Sequence, residues 1–213
     1  MIYNQWYVIL ESKELKKSKP LKITRFSENL SLWRDENWKV WCIADKCCHR
    51  WVSLSCGKII NWEIKCPFHG FTFDKTWACT HIPANGKNTP VPKIMKVTSY
   101  KTFEDFWFIW VWWWDVDEIK EDPFFFKELW DFSYSTLKDH WNVHYSRAIE
   151  NQLDVVHLPF VHKTTIWRWN KTLVNWPVVE REWELLTFYV NNIVDDWKTK
   201  PLKPEEIKNY KKL

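Results

Sequence analysis

The chain has 213 residues, with Lys+Arg 31 against Asp+Glu 27, a formal net charge of +4 and 18% aromatic residues. That length suffices for one large or two small domains with their own cores. So mild a basic excess, clustered only near Lys16, Lys17 and Lys19 and again at Lys208, Lys211 and Lys212, is not the aromatic-interleaved groove of a nucleic-acid binder.

Taken in order, Gln5 to Leu10 reads as a short strand, and Ser12 to Lys19 as a polar, lysine-rich connection with room for a helical turn. The opening Met1-Ile2-Tyr3-Asn4-Gln5 lacks the charged-then-apolar layout of a signal peptide. Leu21 to Phe26, Leu30 to Arg34 and Val40 to Ala44 alternate apolar and polar residues, which predicts antiparallel strands, the last two joined through Asn37-Trp38. Lys58-Ile59-Ile60 and Glu63-Ile64-Lys65 predict a hairpin through Asn61-Trp62. Phe71 to Asp74, Val97 to Tyr100 and the apolar Phe106 to Trp112 follow as further strands. The aromatic run 106–114 is too short to span a bilayer, so no membrane partner is expected. Composition shifts at the acidic stretch Asp115 to Pro123, which places a boundary between a domain at 1–115 and a second at 116–213.

Around that hairpin lie the residues that carry chemistry. Cys47-Cys48-His49-Arg50 and Cys66-Pro67-Phe68-His69-Gly70 give Cys-x-His, 16 residues, then Cys-x-x-His, two short pincers on two loops. Paired thiolates suit one iron of a two-iron, two-sulfide cluster, and paired neutral imidazoles leave the other iron easier to reduce. The rival reading is a structural Cys2His2 zinc site, although zinc pincers more often use wider spacings. The flanking residues resemble the Rieske oxygenase family, whose loops run Cys-Pro-His-Arg-Gly and Cys-Pro-Tyr-His-Gly. Phe68 stands where a respiratory-type Rieske protein would place an extra disulfide cysteine, so the likeness is to the oxygenase and ferredoxin branch. The resemblance implies a [2Fe-2S] cluster held by Cys47, His49, Cys66 and His69. Cys42, Cys48, Cys56 and Cys79 show no disulfide framework and read as free thiols in a reducing, cytoplasmic setting.

Nineteen Trp and three Gly invert ordinary usage, in which glycine averages about 7%. Asn37-Trp38, Asn61-Trp62 and Asn175-Trp176 stand where Asn-Gly would make a turn. Trp51 follows His49-Arg50 where the family pattern has glycine, and Asp74-Lys75-Thr76-Trp77 is a turn that should close on glycine. Trp107, Trp114, Trp167, Trp169, Trp183 and Trp197 extend the set, while Trp110, Trp112 and Trp113 read as true tryptophans. The expectation is that UGA codons meaning glycine have been written as tryptophan; the alternative is that every tryptophan is literal.

In the second half Phe124 to Trp130 is aromatic-rich, Phe132 to Thr136 reads as a possible strand, and helical pattern begins near Asn142. Val178 to Arg181 and Leu185 to Val190 read as strands of a sheet, and Pro204 to Lys212 as a helix with acids first and lysines last. Ala148 to His162 contains Asn151-x2-Asp154-x2-His157-x4-His162. Two histidines five apart lie about 140° apart on an ideal helix, so Pro159 must kink or end the helix if both are to face one metal. The plain alternative is an amphipathic helix with incidental histidines. The segment resembles the iron-binding signature of Rieske oxygenase α subunits, including the vanillate-demethylase and pheophorbide-oxygenase-like branches. That resemblance implies His157 and His162 as ligands of a mononuclear Fe(II), Asp154 as the link from this iron to a neighbouring subunit's cluster, and Asn151 as a polar residue near the iron. His140 and His144 read as packing or surface residues.

A facial triad also needs a carboxylate. In the family it lies far beyond the second histidine, and only 51 residues follow His162. Asp195 and Asp196 are the late acidic pair within reach, and the chain is expected to be a C-terminally truncated form of the family's subunit. The implied fold class is α+β, an antiparallel all-β Rieske domain followed by an incomplete helix-grip catalytic domain. The implied function is a Rieske oxygenase that uses dioxygen to hydroxylate or O-demethylate an apolar, aromatic small molecule, fed by an NAD(P)H-dependent reductase or a ferredoxin and assembled as a homotrimer. The alternative is a ferredoxin-type electron carrier with a non-catalytic C-terminal domain.

Overall fold

The computed structural model describes residues 2–164, 178–182 and 185–189. In chain order the strands are β1 (Gln5–Glu11), β2 (Leu21–Arg25), β3 (Glu28–Arg34), β4 (Val40–Ala44), β5 (Lys58–Ile60), β6 (Glu63–Lys65), β7 (Thr72–Phe73), β8 (Cys79–His81), β9 (Ser99–Tyr100), β10 (Thr102–Asp105) and β11 (Phe108–Trp113). Helices α1 (Tyr145–Leu153) and α2 (Leu158–Val161) precede β12 (Val178–Glu182) and β13 (Leu185–Tyr189). The chain divides into two compact units between Tyr134 and Ser135.

In the first unit the sheets run β1-β11-β10, β2-β3-β4-β9 and β5-β6-β7-β8. Every pairing is antiparallel. The sheet built on β3 and β4 divides the interior. Leu30, Leu32, Val40 and Cys42 face one core with Ile9, Leu10, Ile23, Ile109 and Val111. Trp33 and Ile43 point the other way, into a core with Leu54, Ile64, Phe71, Phe73 and the two thiols Cys47 and Cys66. Covering on both faces explains why Leu30 to Arg34 is buried throughout, where a one-sided strand would alternate.

Several elements depart from the sequence reading. β8 and β10 are three and four residues long with the sequences CTH and TFED; neither carries a periodic signal, and each exists by pairing with a neighbour. Phe106 and Trp107 form the turn between β10 and β11 rather than opening the strand. Phe132 to Thr136 is irregular, not a strand. Residues 116–134 lie with the first unit, where Phe125 stacks on Phe106 with ring centroids 4.3 Å apart and Tyr134 stacks on Trp107 at 4.7 Å.

Six tryptophans singled out as glycine positions fall among the described residues. All have positive φ: Trp38 63°, Trp51 60°, Trp62 66°, Trp77 60°, Trp107 65° and Trp114 109°. Trp110, Trp112 and Trp113 lie within β11 and none has positive φ. Trp167, Trp169, Trp176, Trp183 and Trp197 lie outside the described residues, as do Asp195, Asp196 and the tail helix expected at 204–212.

In the second unit α1 begins one residue after His144, whose ring nitrogen accepts the Ser146 N–H as a helix cap. The helix ends at Leu153, and Asp154 turns the chain by accepting the Val156 N–H at 2.8 Å. The break therefore precedes His157, and Pro159 sits in the first turn of α2, where a missing N–H costs nothing. β12 and β13 pair antiparallel. Among the described residues no helix is long and apolar enough to cross a membrane.

Arg34 ties the first unit together. Its buried guanidinium donates to both oxygens of Glu104 on β10, at 2.7 and 2.6 Å, and to the carbonyls of Ser12, Leu15 and Trp38. Breaking a buried, hydrogen-bonded pair strands the surviving charge and its carbonyl partners. Arg34→Ala is expected to lower the unfolding free energy by about 3 kcal/mol in a urea titration; a change within a few tenths would show that the pair is not holding β10 to the loop after β1.

Candidate metal centre

Two loops leave the middle of the fold and close with the same hydrogen bonds. In the first, the Cys47 N–H donates to the Val52 carbonyl and the Trp51 N–H donates to the Cys47 carbonyl, both at 2.9 Å. In the second, the Cys66 N–H donates to the Phe71 carbonyl at 2.8 Å and the Gly70 N–H donates to the Cys66 carbonyl at 3.1 Å. Trp51 and Gly70 hold equivalent places, with φ of 60° and 74°. The loops are one turn used twice, each starting on a cysteine and presenting a histidine two or three residues later.

This turn sets the polarity of the site. Its first residue enters the core, so Cys47 and Cys66 are 2% and 3% exposed and pack in one cluster. The crest of each turn faces water, so His49 and His69 are exposed. Their rings nevertheless meet, with centroids 4.8 Å apart. Phe71 stacks flat on His49 at 4.9 Å and 3°, and Phe68 lies against His69 at 4.0 Å. Aromatic faces of this kind limit the directions in which each imidazole can turn.

Burial pushes the Cys47 thiol up to about 11; the His49 backbone N–H opposes the shift and the adjacent Cys66 adds to it. Near neutral pH such a sulfur gives up its proton when a cation takes the proton's place. Cys79, pushed up to about 11 by burial, and Cys48, raised for the same reason, lie close by as thiols. No cysteine is in a disulfide, and Cys56 is exposed.

The four loop donors stand as a sulfur pair inside and a nitrogen pair outside, which fits a two-iron cluster taking two protein ligands per iron.

A brace below the first loop was not foreseen. Asp45 has a fully buried side chain, and its two carboxylate oxygens accept the Ser55 N–H and the Ser55 hydroxyl, each at 2.7 Å. Its own N–H donates to the Asn29 carbonyl at 2.8 Å. The loop carrying Cys47 and His49 is clamped where it leaves β4 and where it returns. The visible signal was an acid two residues before the first ligand and a serine eight residues after it.

The second constellation is partly assembled. His157 and His162 have ring centroids 5.4 Å apart, joined by the short α2 rather than by one long helix. Asp154 Oδ2 lies 3.4 Å from His157 Nδ1, a buried atom with no hydrogen-bond partner. The contact is electrostatic and short of an aligned hydrogen bond. Asn151 is exposed on α1, beside Glu150, which pairs with Arg147 at 2.6 Å. His140 is exposed and His144 caps α1, in keeping with structural roles.

Residues 5–101 match the family model described as the Rieske [2Fe-2S] domain. The chain is 32% identical over 168 residues to the oxygenase component of dicamba O-demethylase from Stenotrophomonas maltophilia, covering 76% of this chain and 48% of that protein. It is 33% identical over 176 residues to chloroplastic chlorophyllide a oxygenase from Chlamydomonas reinhardtii, covering 82% of this chain and 26% of that one. The solved structure of Pseudomonas putida CBB5 NdmA with caffeine superposes on 89% of this chain and 57% of its own with a TM-score of 0.79, at 24% identity, a likeness of fold. The chain spans about half the length of the curated relatives it matches, or less.

Two substitutions separate ligand from brace. Cys47→Ala is expected to leave protein reconstituted with iron and sulfide colourless, whereas Asp45→Ala, with every ligand intact, should bind the cluster and release it to a chelator about 10-fold faster or more. An Asp45→Ala protein with wild-type retention would remove the brace from the account. The twin loops, the inner sulfur pair, the outer nitrogen pair and the family match lead to one assignment: the first unit carries a Rieske [2Fe-2S] domain.

Proposed function

We propose that this chain is the cluster-bearing part of a Rieske non-haem iron oxygenase that hydroxylates or O-demethylates an apolar, aromatic small molecule with dioxygen. The observation that carries the reading is a second histidine pair in the same chain, His157 and His162, with a carboxylate 3.4 Å from the first. A simple electron carrier has no use for it. Relatives named for O-demethylation and for oxygenation support the reaction class.

In this reading Cys47, His49, Cys66 and His69 hold the [2Fe-2S] cluster, and His157 and His162 hold a mononuclear Fe(II). When bound, the cluster supplies single electrons and the ferrous iron supplies a site for dioxygen activation. The chain's own residues set the conditions. Cys47 and Cys66 keep the sulfur side away from water, and His49 and His69 bring the nitrogen side to the surface, where a redox partner can approach. The Asp154 carboxylate, 3.4 Å from His157 Nδ1, favours the ring orientation that turns the other nitrogen toward the metal. Asn151, three residues before Asp154 and on the last turns of α1, supplies a polar group beside the site. A facial triad takes a carboxylate as well, and we assign it to no described residue.

The electron donor in this reading is an NAD(P)H-dependent reductase or a ferredoxin, and the assembly is a homotrimer in the cytoplasm. Exposed cluster imidazoles suit transfer across an interface, and the four thiols outside the cluster, none in a disulfide, suit a reducing compartment.

Metal analysis of the longer protein tests the proposal. An oxygenase is expected to hold about three irons per chain, a ferredoxin-type carrier about two. His157→Ala should remove one iron and spare the cluster spectrum. Asp154→Asn should retain all the iron and lower turnover by about 10- to 100-fold. Two irons in the parent protein, unaltered by His157→Ala, would establish the carrier instead.

A further inference from the structure

We propose that Trp38, Trp51, Trp62, Trp77, Trp107 and Trp114 are glycine in the protein as its own cell makes it, because the gene reads UGA as glycine. All six have φ between 60° and 109°, a region in which Cβ crowds the backbone and glycine has no Cβ.

Each turn asks for glycine separately. Asn61 and Trp62, with φ of 49° and 66°, alone connect β5 to β6, the type I′ hairpin for which Asn-Gly is the favoured pair. Phe106 and Trp107, with φ of 55° and 65°, connect β10 to β11 in the same way. At Asp35 and Asp74 the two chains of bonds are alike. The Trp38 N–H donates to the Asp35 carbonyl and the Asp35 N–H to the Lys39 carbonyl; the Trp77 N–H donates to the Asp74 carbonyl and the Asp74 N–H to the Ala78 carbonyl. That is a turn ending in a left-handed bulge residue, a glycine place. In the cluster loops the comparison is internal, since Trp51 occupies the place that Gly70 fills in the second copy of the same turn.

Five of the six, all but Trp107, are exposed, and Trp107 stacks on Tyr134. Trp51 is 71% exposed, Trp114 64% and Trp38 54%, whereas Trp33 is fully buried and Trp112 is 6% exposed. Positive φ also occurs at Asn4, Phe26, Ser27, Asn61 and Phe106, so left-handed backbone does not by itself select tryptophan. The informative direction is the converse: every described tryptophan outside the six has negative φ. Independent mutations have no reason to insert the same bulky residue at six separate glycine places, and one codon reassignment accounts for all of them. At position 51 it makes the first ligand loop a true twin of the second.

The codons and the native peptide masses test the proposal together. UGA is expected at 38, 51, 62, 77, 107 and 114, UGG at Trp33, Trp41, Trp110 and Trp112, and mass spectrometry of protein from the source cell should find glycine in the peptides spanning Trp51 and Trp62. UGG at 38, 51 or 62, or UGA with tryptophan in the native peptide, overturns it. In a heterologous host, the chain carrying all six substitutions, Trp51→Gly among them, should unfold at a higher temperature than the literal sequence; an equal or lower midpoint would count against the assignment.

Discussion

The structure depends on one turn used twice. A cysteine whose N–H and carbonyl both close onto the far side of its own loop is driven into the core, and the same closure lifts the histidine that follows it to the surface. Two copies, brought face to face by the β5–β6 hairpin, set Cys47 beside Cys66 and His49 beside His69. The sheet of β3 and β4 supplies the apolar floor beneath the sulfurs, and Asp45 with Ser55 holds the first loop at its base. Burial that makes the Cys47 thiol a poor acid as a free group also excludes the water that would compete for a metal. The low dielectric raises the cost of an unpaired thiolate and the value of a paired one.

The second unit solves a related geometric problem by other means. His157 and His162 would diverge on a continuous helix. The chain stops α1 at Leu153, uses the Asp154 carboxylate to make the turn, and restarts with Pro159 inside the first turn of α2. One residue serves twice, since Asp154 both breaks the helix through its Oδ1 and faces His157 through its Oδ2. A helix end whose carboxylate also faces an imidazole ties backbone geometry to the side chain that follows.

Much of this was legible in the sequence because it is local. Cys47-x-His49 and Cys66-x2-His69 are spacings, and a spacing on a tight loop is nearly a geometry. The central strands carried alternation, and the tryptophans at turn positions were visible as a clash between composition and turn chemistry. What could not be read is what depends on distant partners. β8 and β10 are too short and polar to announce themselves, Arg34 meets Glu104 across 70 residues, and Asp45 reveals its role only once Ser55 has been folded back onto it. The break before His157 was placed at Pro159 by the general rule that proline ends helices; an aspartate able to cap its own turn acted first.

The central claim is that sulfur and nitrogen ligands are segregated on one cluster. Pulsed electron paramagnetic resonance on the reduced, reconstituted protein tests it most directly, because it counts the histidine nitrogens bound to the cluster. The account predicts a paramagnetic [2Fe-2S] centre coupled to two inequivalent imidazole nitrogens, one of which disappears on substituting His49 and the other on substituting His69. A cluster without nitrogen coupling, or a diamagnetic protein holding one zinc per chain, would contradict it.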